Sequence, residues 1–245
     1  MDFDDEELKQ RPDIDSSTLT LYVVKSTPTS TTNFVKVLIA IEELGIPHNV
    51  HVLQSTSRQT WFHLINPHRM VPAMEDTEIR NGRRLNIFES TSCLSFLVDK
   101  YDPQGILGGK DLWERTQVNN WLTLHTAALG PTSKWWLWFK KMHAGEGSES
   151  VVERLSTSIR QQYGIMEARL SEPGQNYIAL PDRPTIADIA NLPFANEKIA
   201  ATADYNFNDW PKLKAWSERM LARPAVQQAY QRGSTFGHEP DSDDE

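Results

Sequence analysis

The stretch that decides the fold is residues 19–53, LTLYVVKSTPTSTTNFVKVLIAIEELGIPHNVHVL. Its first six residues are mostly leucine, β-branched or aromatic, and they predict a strand. In the middle of the stretch the apolar residues recur at helical spacing, and Gly45 stands where a left-handed residue would end the helix. Alternating apolar residues at 49–53 predict a second strand. A strand, a helix and a second strand usually give a parallel pair of strands.

The sequence after this unit predicts a β-hairpin and one more helix. Residues 70–76, MVPAMED, predict a third short strand at a proline, and residues 85–88, LNIF, predict a fourth. Asn81-Gly82 between them is the dipeptide typical of a two-residue hairpin turn. A helical pattern begins at residue 89. We therefore expect an α/β domain with a mixed four-stranded sheet over residues 18–101.

The sequence changes character after residue 101. Residues 102–110, DPQGILGGK, are rich in glycine and proline and predict a domain linker. From 111 to 235 the pattern is helical without strand candidates of comparable quality, which predicts an all-α domain. We expect its first helix to end at Gly130-Pro131. Thr185 and Asp188 have the spacing of a capping box at the start of a later helix.

The composition excludes several classes of protein. The chain has 245 residues, one cysteine and a net charge of -8. No apolar run approaches the ~18 residues of a membrane span, and one cysteine cannot build a disulfide framework. The negative charge is concentrated in residues 1–17 and 236–245, which we expect to be disordered, dispensable acidic tails. No basic stripe points to nucleic acid, and the absence of a secretory signal favours a cytoplasmic protein.

Three short motifs carry a resemblance to a known family. They are Val-Pro-Ala at 71–73, Glu-Ser at 89–90 and Thr-Ile-Ala-Asp at 185–188. Their order and spacing resemble those of the glutathione transferases over roughly residues 18–235. That resemblance implies a thioredoxin-like first domain and an all-helical second domain. Residues 119–139, NNWLTLHTAALGPTSKWWLWF, and the SXXN pattern after the first strand look most like the fungal members that build sulfur-bridged diketopiperazines such as gliotoxin.

The resemblance implies a binding site for glutathione in the first domain. A cis proline at Pro72 would turn the backbone of Val71 outward, so that it pairs with the cysteinyl backbone of glutathione like an added strand. Ser90 would hold the γ-glutamyl carboxylate at the start of a helix, where free N–H groups favour an anion. Glu89 would pair with the γ-glutamyl ammonium group.

The glutathione thiol must also be activated. Lowering its pKa by two units takes about 2.7 kcal/mol, and one hydrogen bond to a charged group supplies about 1.5–3 kcal/mol. The resemblance singles out Ser30 and Asn33 for this role, although the sequence leaves the neighbouring hydroxyl groups open. Tyr22 ranks below Ser30 because it lies inside a strand, and Cys93 fits a core residue better than a nucleophile. The candidates of the first strand–helix junction are Ser26, Thr27, Ser30, Thr31, Thr32 and Asn33.

The second domain would supply the pocket for the electrophile. Lys134 stands beside a cluster of aromatic residues and would offer a positive charge to a glutathione carboxylate or to a developing oxyanion. At least two of the aromatic residues at 135–139 are expected to be core. No histidine has metal-ligand spacing, and we expect no metal. The candidates for the substrate pocket are Asn120, His125, Trp135 and Trp138.

The resulting hypothesis is a glutathione S-transferase. The resemblance implies that the glutathione thiolate forms a C–S bond to an acyl-imine carbon of an oxidised cyclic dipeptide. It also implies a homodimer, a small apolar electrophile as substrate, and neither a nucleic acid nor a membrane as partner. Two alternatives remain: a glutathione-dependent disulfide reductase or peroxidase, and a non-catalytic regulatory module with the same fold.

Overall fold

A computed structural model describes Arg11 and residues 17–27, 29–56, 58–80, 83–142, 145 and 147–238. The chain forms two compact units. Unit 1 comprises Met1–Tyr101 together with Ala225–Glu245, and unit 2 comprises Asp102–Pro224. Within the described residues, no helix is both long and apolar enough to span a lipid bilayer.

Unit 1 contains the predicted mixed sheet of four strands. The strand order is β2-β1-β3-β4, with β1 parallel to β2 and with β3 antiparallel to both β1 and β4. Gly45 follows the first helix in the left-handed conformation with φ 62°, as predicted. The predicted turn residues Asn81 and Gly82 lie outside the described residues. The elements are β1 (Leu19–Val24), α1 (Thr31–Leu44), β2 (His48–Leu53), β3 (Ala73–Arg80), β4 (Arg83–Phe88) and α2 (Ser90–Tyr101), with a 3₁₀ turn at Thr60–Leu64.

The described part of unit 2 consists of helices joined by turns and loops, without strands. Short 3₁₀ turns at Leu192–Phe194 and Phe207–Asp209 join some of the helices. Two π-helical turns, His125–Leu129 and Trp138–Met142, follow the first and second helices. The helices are α3 (Leu112–Leu124), α4 (Gly130–Leu137), α5 (Ser148–Leu170), α6 (Ile186–Asn191), α7 (Glu197–Thr202) and α8 (Pro211–Leu221).

The predicted helix end at Gly130-Pro131 is wrong. The chain stays helical from Leu112 to Met142, because the π turn at His125–Leu129 takes up the proline. In that turn the N–H of Gly130 donates to the carbonyl of His125, one residue further back than in an α-helix. Pro131 then falls in the first turn of α4.

The last helix differs from the prediction in its domain. Helix α9 (Pro224–Thr235) belongs almost entirely to unit 1, although its sequence pattern continues that of the helical domain. A Cβ on Gly233 would lie 3.3 Å from the ring of Phe34 in α1, so the glycine permits close packing of the two helices. The guanidinium of Arg232 pairs with Glu42, also in α1.

The structure also differs from the predicted tails at both ends. Arg11 forms an ion pair with the buried carboxylate of Glu75. At the other end, the N–H of Ser26 donates to the carbonyl of Phe236 at 2.8 Å, and Nε2 of His238 lies 2.9 Å from the carbonyl of Ser26. Residues 236–238 therefore support the loop after β1 and are not part of a dispensable tail.

Candidate active site

The Val71-Pro72 peptide bond is cis, as predicted. It directly precedes β3, and no backbone hydrogen bond joins Val71 to another described residue. Asn66 shapes the loop before it: its side-chain amide donates to the carbonyl of Met70 at 2.7 Å and accepts from the N–H of His68 at 2.9 Å. Asn66 is fully buried, and no sequence motif marked it. The backbone groups of Val71 are thus left available to an extended ligand.

Glu89 and Ser90 form the junction between β4 and α2. Glu89 has a left-handed backbone with φ 69°. Its carbonyl accepts the N–H of Cys93 at 2.9 Å, and this hydrogen bond closes the first turn of α2. Its side chain is 63% exposed, and Oε1 lies 3.7 Å from Nδ1 of His68, a neighbour that sequence reasoning missed. Neither the N–H nor the hydroxyl of Ser90 bonds to another described group, so both can receive an anion at this helix start.

The hydroxyl of Ser30 is engaged in the loop that carries it. It donates to the carbonyl of Lys25 at 2.8 Å and accepts from the N–H and hydroxyl of Thr27 at 2.9 and 3.0 Å. A hydroxyl has one proton and two acceptor sites, so these three bonds fill its capacity. Ser30 would have to exchange its Lys25 bond for the glutathione sulfur in order to act as predicted.

The neighbouring hydroxyl groups are engaged in the same way. Thr31 donates to the carbonyl of Thr27 at 2.7 Å, and Thr32 donates to the carbonyl of Thr29 at 2.7 Å. The hydroxyl of Ser26 lies 2.8 Å from that of Thr31, whose own proton is already used. The five candidate hydroxyls therefore hold the loop together, and none has a proton to spare for a ligand.

Asn33 is the remaining candidate at this junction, and its amide is anchored at one end. The buried Nζ of Lys36 donates to its Oδ1 at 2.9 Å. No described group occupies Nδ2 of Asn33, which leaves the NH₂ group as a donor for a ligand. Burial lowers the pKa of Lys36 to about 7, and the negative charge of Glu89 works against that shift.

Cys93 is a core residue, as the sequence indicated, and Tyr22, which the sequence placed inside a strand, is a core residue as well. Tyr22 is fully buried in β1 and donates its hydroxyl to Glu75 at 2.8 Å. Burial, with a contribution from the charge of Glu75, raises the pKa of Tyr22 above its usual value. Cys93 is buried in α2, where burial raises the pKa of its thiol and makes it a poor nucleophile.

We expect Tyr22→Phe to leave catalysis unchanged, because the hydroxyl faces Glu75 in the core and not a ligand. The value of kcat/KM for glutathione and the pH midpoint of turnover should both match the wild type. Stability should fall by about 1.5–3 kcal/mol, the range for a hydrogen bond to a charged group such as the Glu75 carboxylate. A rise in the pH midpoint would instead make Tyr22 the thiol's partner.

Unit 2 brings together some of the predicted pocket residues. The rings of Trp135 and Trp138 lie 5.9 Å apart, and Nζ of Lys134 lies 5.9 Å from the centre of the Trp135 ring. Lys134 is exposed and Trp135 is half exposed. Among the aromatic residues at 135–139, Trp136 is the buried one, so fewer of them are core than we expected.

The other two pocket candidates lie apart from this aromatic group. Asn120 is exposed on α3. His125 is buried, with Nδ1 3.2 Å from Oδ1 of Asn191 and its ring 5.2 Å from that of Phe194. It lines a small pocket within unit 2 together with Trp121. No group of three or more histidine, cysteine, aspartate or glutamate side chains in the described ranges is arranged to hold a metal ion.

Comparison with known proteins decides the family. Residues 34–100 match the family described as glutathione S-transferase, N-terminal domain, and residues 125–224 match glutathione S-transferase, C-terminal domain. The chain is 60% identical over 223 residues to glutathione S-transferase sirG of Leptosphaeria maculans, which covers 91% of this chain and 95% of the relative. The chain belongs to the glutathione S-transferase family.

Two further comparisons, one with a sequence relative and one with a solved structure, cover most of the chain. Over 213 residues the chain is 38% identical to the trimodular acetylaranotin synthesis protein ataIMG of Aspergillus terreus, covering 87% of this chain and 21% of that protein. A crystal structure of a glutathione transferase family member from Pseudomonas fluorescens pf-5, with two glutathione bound, superimposes with a TM-score of 0.78. The two share 25% identity, covering 91% of this chain and 96% of the other. The predicted fold is confirmed.

Proposed function

We propose that this glutathione S-transferase adds glutathione to the acyl-imine carbon of an oxidised cyclic dipeptide. The observation that carries the glutathione half of this proposal is a set of polar groups in unit 1 that no other described residue binds. These are the backbone of Val71, the N–H and hydroxyl of Ser90, and the amide NH₂ of Asn33. They match in turn the cysteinyl backbone, the γ-glutamyl carboxylate and the thiol of the tripeptide.

Within this proposal Asn33 is the group that stabilises the thiolate. Its NH₂ group can donate without breaking a bond to any described residue, whereas Ser30 would have to release the carbonyl of Lys25. Ser30 then shapes the loop that carries Asn33. Glu89, largely exposed beside Ser90, pairs with the γ-glutamyl ammonium group.

The reaction balances without a cofactor. The thiol loses its proton, the thiolate attacks the imine carbon to form the C–S bond, and the imine nitrogen takes up a proton. Holding both reactants in place supplies about 7 kcal/mol or more of the rate enhancement. Trp135 and Trp138 offer aromatic surface to a flat apolar substrate, and Lys134 offers a positive charge beside them.

The substrate class rests on similarity. The fungal members that the sequence resembles build sulfur-bridged diketopiperazines, and the relative from Aspergillus terreus carries acetylaranotin synthesis in its name. The matching test incubates the enzyme and glutathione with an α-hydroxylated cyclic dipeptide, which yields an acyl imine on losing water, and detects the conjugate by mass spectrometry. Faster turnover of bis-2-hydroxyethyl disulfide or a hydroperoxide would instead favour the reductase or peroxidase.

The proposal includes a homodimer in the cytoplasm. Members of this family act as dimers, and each unit exposes large apolar side chains that a partner could cover. In unit 1 these include Leu85 and Phe88, and in unit 2 Leu112 and Trp113. The cytoplasm fits because its reduced glutathione pool would supply the co-substrate.

Ser90→Ala tests the glutathione site directly. We expect the dissociation constant of glutathione to rise at least tenfold, because a hydrogen bond to a charged group is worth about 1.5–3 kcal/mol. Titration calorimetry measures the change. Ser92→Ala is the matched control, since Ser92 lies exposed in the same helix and should leave binding unchanged. Equal affinities in the two variants would refute the assignment of Ser90, and no binding by the wild type would favour the non-catalytic module.

A further inference from the structure

Lys36 is a buried lysine that neither the motifs nor the comparisons single out. It is 2% exposed, whereas lysine side chains are almost never fully buried unless they are paired. It lies three residues after Asn33 in α1, so the two side chains share one face of the helix. The distance from its Nζ to Oδ1 of Asn33 is 2.9 Å.

This contact fixes which end of the Asn33 amide is available to a ligand. An amide has an accepting oxygen at one end and a donating NH₂ group at the other, while the ammonium form of Lys36, which dominates below about pH 7, can only donate. The oxygen therefore turns toward Lys36, and the NH₂ group is left at the other end. Without Lys36 either end could face the sulfur, and an amide oxygen there would repel a thiolate.

Lys36 is also coupled to the second part of the site. The charge of Glu89 favours the charged form of Lys36, which burial disfavours. One buried amine thus interacts both with the group next to the thiol and with the group that would hold the γ-glutamyl ammonium.

We propose that Lys36 is a positioning residue of the thiol site: by holding Oδ1 of Asn33 it presents the Asn33 NH₂ group to the glutathione sulfur. The inference rests on the proposed function, which gives Asn33 that contact. Lys36 itself touches neither the substrate nor the reacting atoms.

A double-mutant cycle tests this proposal. The full chain is compared with Asn33→Ala, Lys36→Met and the double variant, and the pKa of the bound glutathione thiol is read from thiolate absorbance at saturating glutathione. We expect each single variant to raise the thiol pKa by about one unit, a tenfold lower ratio of thiolate to thiol. The double variant should show the shift of Asn33→Ala alone, because Lys36 acts through Asn33.

Two further variants separate positioning from support of the fold. Lys36→Arg keeps a donor and should restore most of the wild-type thiol pKa. Lys36→Gln repeats the comparison if the methionine variant does not fold, because its amide nitrogen ends one atom short of Nζ. Circular dichroism and the KM for glutathione should change little in the folded variants, whereas kcat at neutral pH should fall with the thiolate fraction.

The outcomes distinguish the two proposals. An unchanged thiol pKa in Asn33→Ala would overturn the thiol contact of the proposed function, and the role of Lys36 with it. A shift in Asn33→Ala without one in Lys36→Met or Lys36→Gln would overturn the positioning role alone. Additive shifts in the double variant would also overturn it, because Lys36 would then act independently of Asn33.

Discussion

Asp188→Ala will lower the free energy of unfolding of the helical unit by about 3–5 kcal/mol, because it leaves several buried donors without a partner. Asp188 is fully buried at the start of α6. Its carboxylate accepts the N–H of Ile178 at 2.7 Å, the N–H and hydroxyl of Thr185 at 2.9 Å each, and the indole N–H of Trp216 at 2.9 Å. One side chain therefore joins the cap of α6 to two other segments.

Urea unfolding followed by tryptophan fluorescence measures this effect, since seven of the eight tryptophans lie in residues 102–224. Asp188→Asn should lose less stability than Asp188→Ala, because the amide oxygen still accepts some of these hydrogen bonds. It should still be less stable than the wild type, because the amide NH₂ group faces other donors. Asp99→Ala is the matched control: Asp99 is an exposed helical aspartate, and its loss should change stability by less than about 0.5 kcal/mol. A loss below 1 kcal/mol in Asp188→Ala would contradict the network.

The elements that could be predicted from the sequence are those whose signals are local. The helix end at Gly45 needs one residue with positive φ, and the capping box needs only Thr185 and Asp188 at the right spacing. The sheet followed from strand patterns and their connections. Each of these signals lies within a few residues, so no knowledge of distant contacts was required.

The predictions that failed depended on distant contacts or on backbone geometry. Gly130-Pro131 normally ends a helix, but a π turn carries the chain through it. Helix α9 has the same periodicity as its predecessors, and contacts with α1, such as the packing of Gly233 against Phe34 and the Arg232–Glu42 ion pair, place it in unit 1. A pattern of apolar residues shows that a helix has a buried face and does not show what covers it.

The residues of the candidate site also fall into two groups: those that a local motif marks, and those whose role depends on contacts in the folded structure. Val71, Pro72, Glu89 and Ser90 could be named in advance because a family motif marks them, and their positions in the structure leave them open to the proposed ligand. The choice between the hydroxyl groups and Asn33 could not be made from the sequence, because it depends on which protons the loop itself uses. The role proposed for Lys36 could not be predicted from the sequence, since a lysine within the pattern of an amphipathic helix is normally expected on the surface.

Lys36 should make stability depend on pH in a way that Lys36→Met abolishes. Burial lowers the pKa of Lys36 to about 7, against about 10.4 for lysine in an unfolded chain. Between these values the unfolded chain binds a proton that the folded chain does not, so the contribution of Lys36 to stability rises with pH. The difference in unfolding free energy, wild type minus Lys36→Met, should grow by up to about 4 kcal/mol from pH 7 to 10.

Urea unfolding at several pH values gives this difference, and comparison with the variant removes the other titrating groups. Cys93 is one of them: its pKa is raised by burial, so its thiol ionises first in the unfolded chain and lowers the stability of both proteins alike above about pH 8.5. Glu89→Gln provides an internal check. Because Glu89 favours charged Lys36, its loss should lower the pKa of Lys36 further and move the onset of the rise to lower pH. A difference that stays flat from pH 7 to 10 would mean that Lys36 keeps its proton in the folded protein. Interactions stronger than the hydrogen bond to Asn33 would then offset the cost of burying its charge.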